Sequence, residues 1–111
     1  MDLPIGNEGN YNGATVVTAL SAPAASKQRV VPANGISSYN ADSVAHDFTY
    51  QKNKGGTITI FWKDLAVAAG THSVVAKKVV IDDTNESIEV KIEGAHTTTA
   101  PTFDLAAMES S

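Results

Sequence analysis

The residues whose side chains could do chemistry are three histidines and one acidic cluster, and they stand far apart along the chain. The histidines are His46, His72 and His96. No two of them have the i, i+2 spacing of one strand face or the i, i+4 spacing of one helix face. A metal ion needs several ligands within about 2 Å of it. The sequence therefore predicts no histidine metal site, and we interpret the three as loop and surface residues.

The acidic cluster consists of Asp82, Asp83, Asn85 and Glu86. Oxygen ligands in a tight loop are the ligands that calcium takes in proteins. The spacing of an EF-hand loop is missing, however, and so is a glycine that would bend the loop around an ion. The cluster could hold an ion, but its composition favours an ordinary solvated turn.

Motifs of catalysis are missing from the chain. It has no G-x-S-x-G element and no cysteine nucleophile. His46 and Asp47 are adjacent, so a strand would aim their side chains to opposite sides. Gly55-Gly56 lacks the lysine and hydroxyl residue of a phosphate-binding loop. We predict a protein that is not an enzyme, with no catalytic residue, no metal and no cofactor.

Length and charge narrow the class of protein further. The 111 residues fit one domain, the net charge is -4, and the eight Lys and Arg residues are scattered. Binding to nucleic acid is therefore not expected. Membrane insertion is not expected either, because no apolar run has the length that would cross a bilayer. The start of the chain has an acid at position 2 and no apolar stretch, which predicts synthesis in the cytoplasm without a secretory signal.

The clearest structural pattern lies between Ser73 and Glu93. Apolar residues alternate with polar ones in its second half, at Ile88, Val90 and Ile92, which is the period of a half-buried strand. In the first half the buried face is undecided, because either phase places a lysine on it. The pattern predicts a β-hairpin with its turn at residues 82–86.

Several other short strands follow from β-branched runs between turn signals. Expected strands cover residues 14–20, 27–31, 36–40, 48–51 and 57–62, with turns at 32–35 and 52–56. We expect Ile58, Ile60 and Trp62 in the core. Residues 63–70 could form a short helix, but a strand or loop is favoured because the segment is short. The predicted fold is all-β, an antiparallel β-sandwich or jelly-roll-like barrel of about seven to nine short strands.

The two ends differ in composition from the middle. Residues 1–13 are rich in glycine and asparagine and predict a flexible N-terminal arm without strand structure. Residues 14–100 form the expected β-sandwich domain, and residues 101–111 a short C-terminal tail. Apolar residues in the arm and tail are the expected anchors on a partner, and these are Leu3, Ile5, Tyr11, Phe103, Leu105 and Met108.

A family resemblance is carried by the run from Ala14 to Gly35, ATVVTALSAPAASKQRVVPANG. It resembles the opening of small bacteriophage head decoration (cement) proteins and related virion β-sandwich proteins. The shared features are a Gly/Asn-rich arm, a Thr/Val/Ala strand, and an Ala/Pro-broken return that ends in a Pro-Ala-Asn-Gly turn. The resemblance implies an outer-capsid protein, often trimeric, that binds where major capsid protein subunits meet and reinforces the shell.

Two functions follow as expectations. The first is a capsid decoration protein on the outer surface of a virion, a homo-oligomer that is made in the host cytoplasm and bound to the major capsid protein. The alternative is a β-sandwich module of a fibre or adhesin that binds carbohydrate or a receptor. Its candidate sugar platform consists of Trp62, Tyr39, Tyr50 and His72.

Overall fold

The computed structural model describes residues 3–110, which form ten antiparallel strands arranged in two sheets. The strands are β1 (Leu3–Asn10), β2 (Val17–Leu20), β3 (Gln28–Val31), β4 (Ile36–Tyr39), β5 (His46–Lys54), β6 (Thr57–Val67), β7 (His72–Val74), β8 (Val79–Ile81), β9 (Glu86–Ile92) and β10 (Thr102–Ser110). The prediction of an all-β antiparallel sandwich is confirmed, with one strand more than the expected seven to nine. Residues 3–110 contain no helix that could cross a membrane.

The first sheet is built around β10. The residues Phe103, Leu105 and Ala107 are buried and alternate with exposed neighbours, so β10 is a half-buried strand. One edge of β10 pairs with β1 along its whole length, from Leu3 opposite Glu109 to Asn10 opposite Thr102. The other edge pairs with β4 and β3, and these pair in turn with β7 and β8.

Strand β1 corrects the prediction for the start of the chain. The composition of residues 3–10 predicts no strand structure, yet they form a strand that is hydrogen-bonded to β10. The backbone of β10 supplies the hydrogen bonds, so the low strand propensity of the segment does not decide the outcome. A Cβ atom at Gly9 would lie 3.1 Å from the Phe103 ring, so glycine lets β1 approach the core closely.

The Pro32–Gly35 turn keeps the chain on the same edge of β10. Val30 is opposite Met108 and Ile36 is opposite Leu105, so β3 and β4 run end to end with an outward loop between them. Gly35 donates its amide to Pro32 O and accepts a hydrogen bond from the amide of Ala106, each at 2.9 Å. The expected turn therefore forms, but it is not the turn of a hairpin. It links β3 and β4, which pair with the same edge of β10.

The second sheet has the order β2-β9-β5-β6. The hairpin β5–β6 turns at Gly55 and Gly56, both with positive φ, as the turn chemistry of residues 52–56 predicts. Strand β6 continues to Val67 and so takes up most of the segment 63–70, in agreement with the favoured strand interpretation.

The predicted hairpin across residues 73–93 is wrong. Its first half is divided into β7 and β8 in the first sheet, whereas β9 lies in the second sheet between β2 and β5. The turn at 82–86 therefore crosses from one sheet to the other. This path places the apolar residues of β8 and β9 in the same core from opposite sheets, which buries both sets.

The expectation that Ile58 and Ile60 lie in the core is also wrong, since they are 46% and 53% exposed. A register shift between Tyr50 and Gln51 changes the face that β6 presents. Trp62 pairs with Tyr50 and packs against the core, as expected, but Ile60 pairs with Gln51. An extra residue in β6 interrupts the side-chain alternation at that point, and residues 57–60 are exposed on both faces of this edge strand, so the apolar period of the run does not predict burial.

Candidate functional site

The six predicted anchors divide into buried and exposed residues. Tyr11, Phe103 and Leu105 lie in the core, where the Tyr11 ring meets the Phe103 ring edge-on at 5.9 Å. Their side chains serve packing within the chain. Leu3 and Met108 are 52% and 41% exposed, and Ile5 is half-buried against the core. Contact with a partner stays a prediction for these last three.

Two exposed apolar surfaces lie on the paired first and last strands. Leu3 and Ile5 lie near the start of β1, on the face that is directed toward the core, because Ile5 is opposite the buried Ala107. Met108 is opposite Pro4 and belongs to the outer face. Beside it is a shallow groove of about 400 Å³, which we call the apolar groove and which is lined by Pro4, Ile5, Gly6, Pro32, Ala106, Ala107 and Met108.

A further surface, the lysine cleft, opens between the two sheets. It has a volume of about 660 Å³ and lies between the end of the β5–β6 hairpin and strand β8. Its walls carry Lys52 and Lys54 from β5 and Lys77 and Lys78 from the loop between β7 and β8. The lysines are scattered along the sequence, but the fold brings these four together. The sequence feature that indicates part of this cleft is the i, i+2 spacing of Lys52 and Lys54, which puts both on one face of a strand.

The sugar-platform candidates do not come together as a group of four. Tyr50 is fully buried, and Trp62 is half-buried with its ring nitrogen enclosed and without a hydrogen-bond partner among the described residues. Tyr39 and His72 are opposite each other on β4 and β7, and their ring centroids are 4.9 Å apart. These two rings border a cleft of about 580 Å³, and Glu8 and Asp104 are among its other lining residues.

Hydroxyl groups form a chain through the middle of the sandwich. Tyr11 and Tyr50 lie 2.6 and 2.8 Å from Ser38 Oγ, Tyr50 lies 2.8 Å from Ser73 Oγ, and Ser73 donates to Asp64 Oδ2 at 2.6 Å. Since the carboxylate only accepts, every hydroxyl must donate toward it, from Tyr11 through Ser38, Tyr50 and Ser73. Burial raises the pKa of both tyrosines, so they remain protonated donors at neutral pH.

Asp42 and His46 form a buried pair that holds two loops together. His46 Nε2 lies 2.6 Å from Asp42 Oδ2, and the same carboxylate accepts the amides of Ser43, Thr97 and Thr98 at 2.8 Å. Burial acts to raise the pKa of the Asp42 carboxyl. The hydrogen bonds from His46 and the amides outweigh it and hold that pKa well below its usual range. The arrangement fixes backbone segments, which is a structural role.

The other predicted features, Asp47 and the acidic turn, form hydrogen bonds within the chain. Asp47 points away from His46 and accepts the amide of Ala66 at 2.7 Å, as expected for neighbours in a strand. In the acidic turn, Glu86 accepts the amide of Asp82 and Asp83 accepts the amide of Asn85, which agrees with an ordinary turn. No group of three or more possible metal ligands occurs within residues 3–110.

Comparisons with known proteins give structural matches only. No protein-family model matches the chain, and no curated protein matches it. A pentameric capsid protein isolated from metagenomic phage sequences aligns over 96% of this chain and 60% of its own, at 13% identity and a TM-score of 0.49. This chain thus spans about 60% of that protein's length.

Two further matches come from other viruses. A structure of infectious bursal disease virus, Gx strain, aligns over 98% of this chain and 32% of its own, at 12% identity and a TM-score of 0.49. A chain of the cyanophage Pam1 capsid asymmetric unit aligns over 97% of this chain and 80% of its own, at 12% identity and a TM-score of 0.43. At these values the matches carry no conclusion about the function of this chain.

Proposed function

We propose that this protein is a non-enzymatic structural protein of a virus particle, a decoration protein that binds the outer capsid surface and stabilises the shell. The observation that carries the proposal is the position of β1 as an edge strand on β10, which leaves β1 with an edge that no described strand pairs with. Exposed Leu3 and Met108 and the apolar groove lie on these two strands. The resemblance of residues 14–35 to head decoration proteins supports the same role.

The partner in this proposal is the major capsid protein. The edge of β1 offers main-chain donors and acceptors to an extended segment of the partner, and the apolar groove takes an apolar side chain. Burying one large apolar side chain there contributes about 1.5–3 kcal/mol. That is modest for a single contact, so attachment of a homo-oligomer, such as a trimer, at several points would make the binding strong.

The test is a binding measurement on capsids that lack this protein. The variant Met108→Glu places a charge in the apolar groove, and we expect it to reduce occupancy at least tenfold at equal protein concentration. The matched control is Val44→Glu, because Val44 is 43% exposed and Met108 is 41% exposed, but Val44 lies in the loop between β4 and β5 and does not line the apolar groove. Equal occupancy for Met108→Glu and the wild-type protein would remove the groove from the proposal.

The alternative function is carbohydrate binding, favoured by the contact of Tyr39 and His72 beside Glu8 and Asp104. Aromatic rings next to carboxylates offer a sugar both an apolar face and hydrogen-bond acceptors. Titration of the protein with a panel of neutral oligosaccharides should then shift the nuclear magnetic resonance signals of Tyr39 and His72, and Tyr39→Ala should abolish binding. A panel that moves neither ring rejects this alternative.

A further inference from the structure

The lysine cleft concentrates positive charge on a protein whose overall charge is negative. Four of the eight basic residues line it, but only one of the twelve acidic residues does, namely Glu86. Like charges gathered in one cleft repel each other, so a bound anionic group would be stabilised there. The lysines come from two segments of the chain that the fold brings together, Lys52 and Lys54 on β5 and Lys77 and Lys78 before β8.

The lysines of the cleft are partly occupied by contacts within the chain. Lys52 Nζ donates to Val80 O at 2.9 Å, and Lys54 Nζ lies 3.6 Å from Asp83. Lys77 and Lys78 are exposed and have no hydrogen-bond or ion-pair partner among residues 3–110. These two ammonium groups are therefore available to a ligand without loss of an internal bond.

Strand edges border the same cleft on both sides. Strand β6 pairs only with β5, and β8 pairs only with β3, so each is the last described strand of its sheet. Thr57, Thr59 and Ile60 of β6 and Val79 and Val80 of β8 line the cleft. Lys52 already bonds one carbonyl of β8, which shows that this edge can accept a donor from within the cleft. An extended peptide can bond to such an edge through its main chain.

We infer that the lysine cleft binds an extended acidic peptide segment of a partner protein. The peptide's carboxylates would pair with Lys77 and Lys78, and its backbone would bond to the free edge of β6 or β8. A volume of about 660 Å³ bordered by two strand edges suits a peptide better than a single small anion. This inference does not depend on the proposed virion role, since it uses neither the edge of β1 nor the apolar groove.

The test uses a blocked hexapeptide of alternating glutamate and valine as the probe. Its affinity is measured by titration calorimetry, and the bound position by amide chemical shifts. We expect binding that weakens as salt is added, with shifts of amides in residues 57–61 or 79–81. We expect at least fivefold weaker binding by the double variant Lys77→Ala/Lys78→Ala. The control Lys63→Ala/Lys91→Ala changes the net charge equally on other parts of the surface and should bind within twofold of wild type.

Two comparison ligands make the inference open to refutation. A hexapeptide of alternating glutamine and valine should bind at least tenfold more weakly than the acidic peptide, and equal binding would show that charge is not used. Tripolyphosphate tests for a general anion site. Binding of tripolyphosphate with no binding of the acidic peptide would overturn the inference, and so would an equal loss of peptide binding in the control double variant.

Discussion

Single residues determine how the two sheets are held together in the interior. The hydroxyl chain from Tyr11 to Asp64 joins side chains of both sheets, and every donor in it has an acceptor. The Asp42 carboxylate binds the loop at residues 97–99 to the loop before β5. Buried polar groups of this kind stabilise a fold only while all their partners are present.

Removal of the Tyr50 hydroxyl tests the hydroxyl chain. Tyr50→Phe leaves Ser38 and Ser73 each without one buried partner, and an unsatisfied buried group costs about 1–3 kcal/mol. We expect the free energy of unfolding in urea to fall by that amount. Tyr39→Phe removes a hydroxyl from an exposed residue and should change the free energy by less than about 0.5 kcal/mol. Similar values for the two variants would contradict this role for the chain.

The low pKa of Asp42 predicts how stability depends on pH. A carboxyl whose pKa is lower in the folded state than its unfolded value, about 3.9, stabilises the fold above that pH. This contribution is lost as the pH falls from about 4 toward the folded pKa. Unfolding free energies measured from pH 7 to pH 2.5 should therefore fall less steeply for Asp42→Asn than for wild type. Equal slopes for Asp42→Asn and wild type would contradict this role of the Asp42 carboxyl.

At the scale of elements, the loop between β3 and β4 decides whether β10 has one continuous partner edge. The amide of Ala106 on β10 bonds to Gly35 O, so the loop itself continues the pairing. A Cβ atom on Gly35 would lie 2.8 Å from Pro32 O and 2.9 Å from Ala106 O. Both are backbone atoms, which cannot move without a shift of the strands.

Substitution of Gly35 by alanine should therefore destabilise the sheet. Overpacking of this kind costs roughly 1–3 kcal/mol, and we expect the unfolding free energy of Gly35→Ala to fall by that amount. Gly6→Ala is the matched control on β1, because its nearest neighbour would be Leu105 O at an ordinary 3.7 Å. That variant should be unchanged or more stable by up to about 1 kcal/mol. Equal destabilisation by both changes would show that loss of glycine, not the close approach, is responsible.

For the whole molecule, the main feature is that the first and last strands pair with each other. Leu3 lies opposite Glu109, so the two ends of the described chain are neighbours in one sheet. The sequence predicted an arm, a sandwich domain and a tail at these positions. Whether the ends can be separated from the rest of the fold stays a prediction, and it can be tested.

A circular permutant tests whether the two ends are neighbours, and a deletion tests whether β1 can be separated from the fold. New ends would be placed between Gly55 and Gly56 in the β5–β6 turn, and a short glycine-serine linker would join Ser111 to Met1. Because permutation tolerates cuts in exposed turns, we expect a folded protein with a melting temperature near that of wild type. Deletion of residues 1–10 removes β1 and should lower the melting temperature clearly. A deletion variant as stable as wild type would show that β1 is a separable arm.

The sequence by itself determined the class of fold and several local elements. Strict alternation at Ile88, Val90 and Ile92 predicted a strand that buries these three residues, which β9 confirms, although Glu89 on its other face is buried as well. The glycine pair at 55 and 56 predicted the β5–β6 turn. These features are local, because side-chain period and turn chemistry depend on residues a few positions apart.

Only the tertiary structure decided which strands share a sheet, which face of β6 is buried, and where charge gathers. Alternation shows that a strand has a buried face, but it does not identify the strand that pairs with it. The turn at 82–86 could join two strands of one sheet or one strand from each sheet. Because β8 pairs with β3 and β9 pairs with β2 and β5, it joins the two sheets. The lysine cleft unites Lys52 with Lys77, and Leu3 meets Glu109. Such long-range contacts depend on hydrogen bonding and burial summed over the whole chain, which no local sequence pattern predicts.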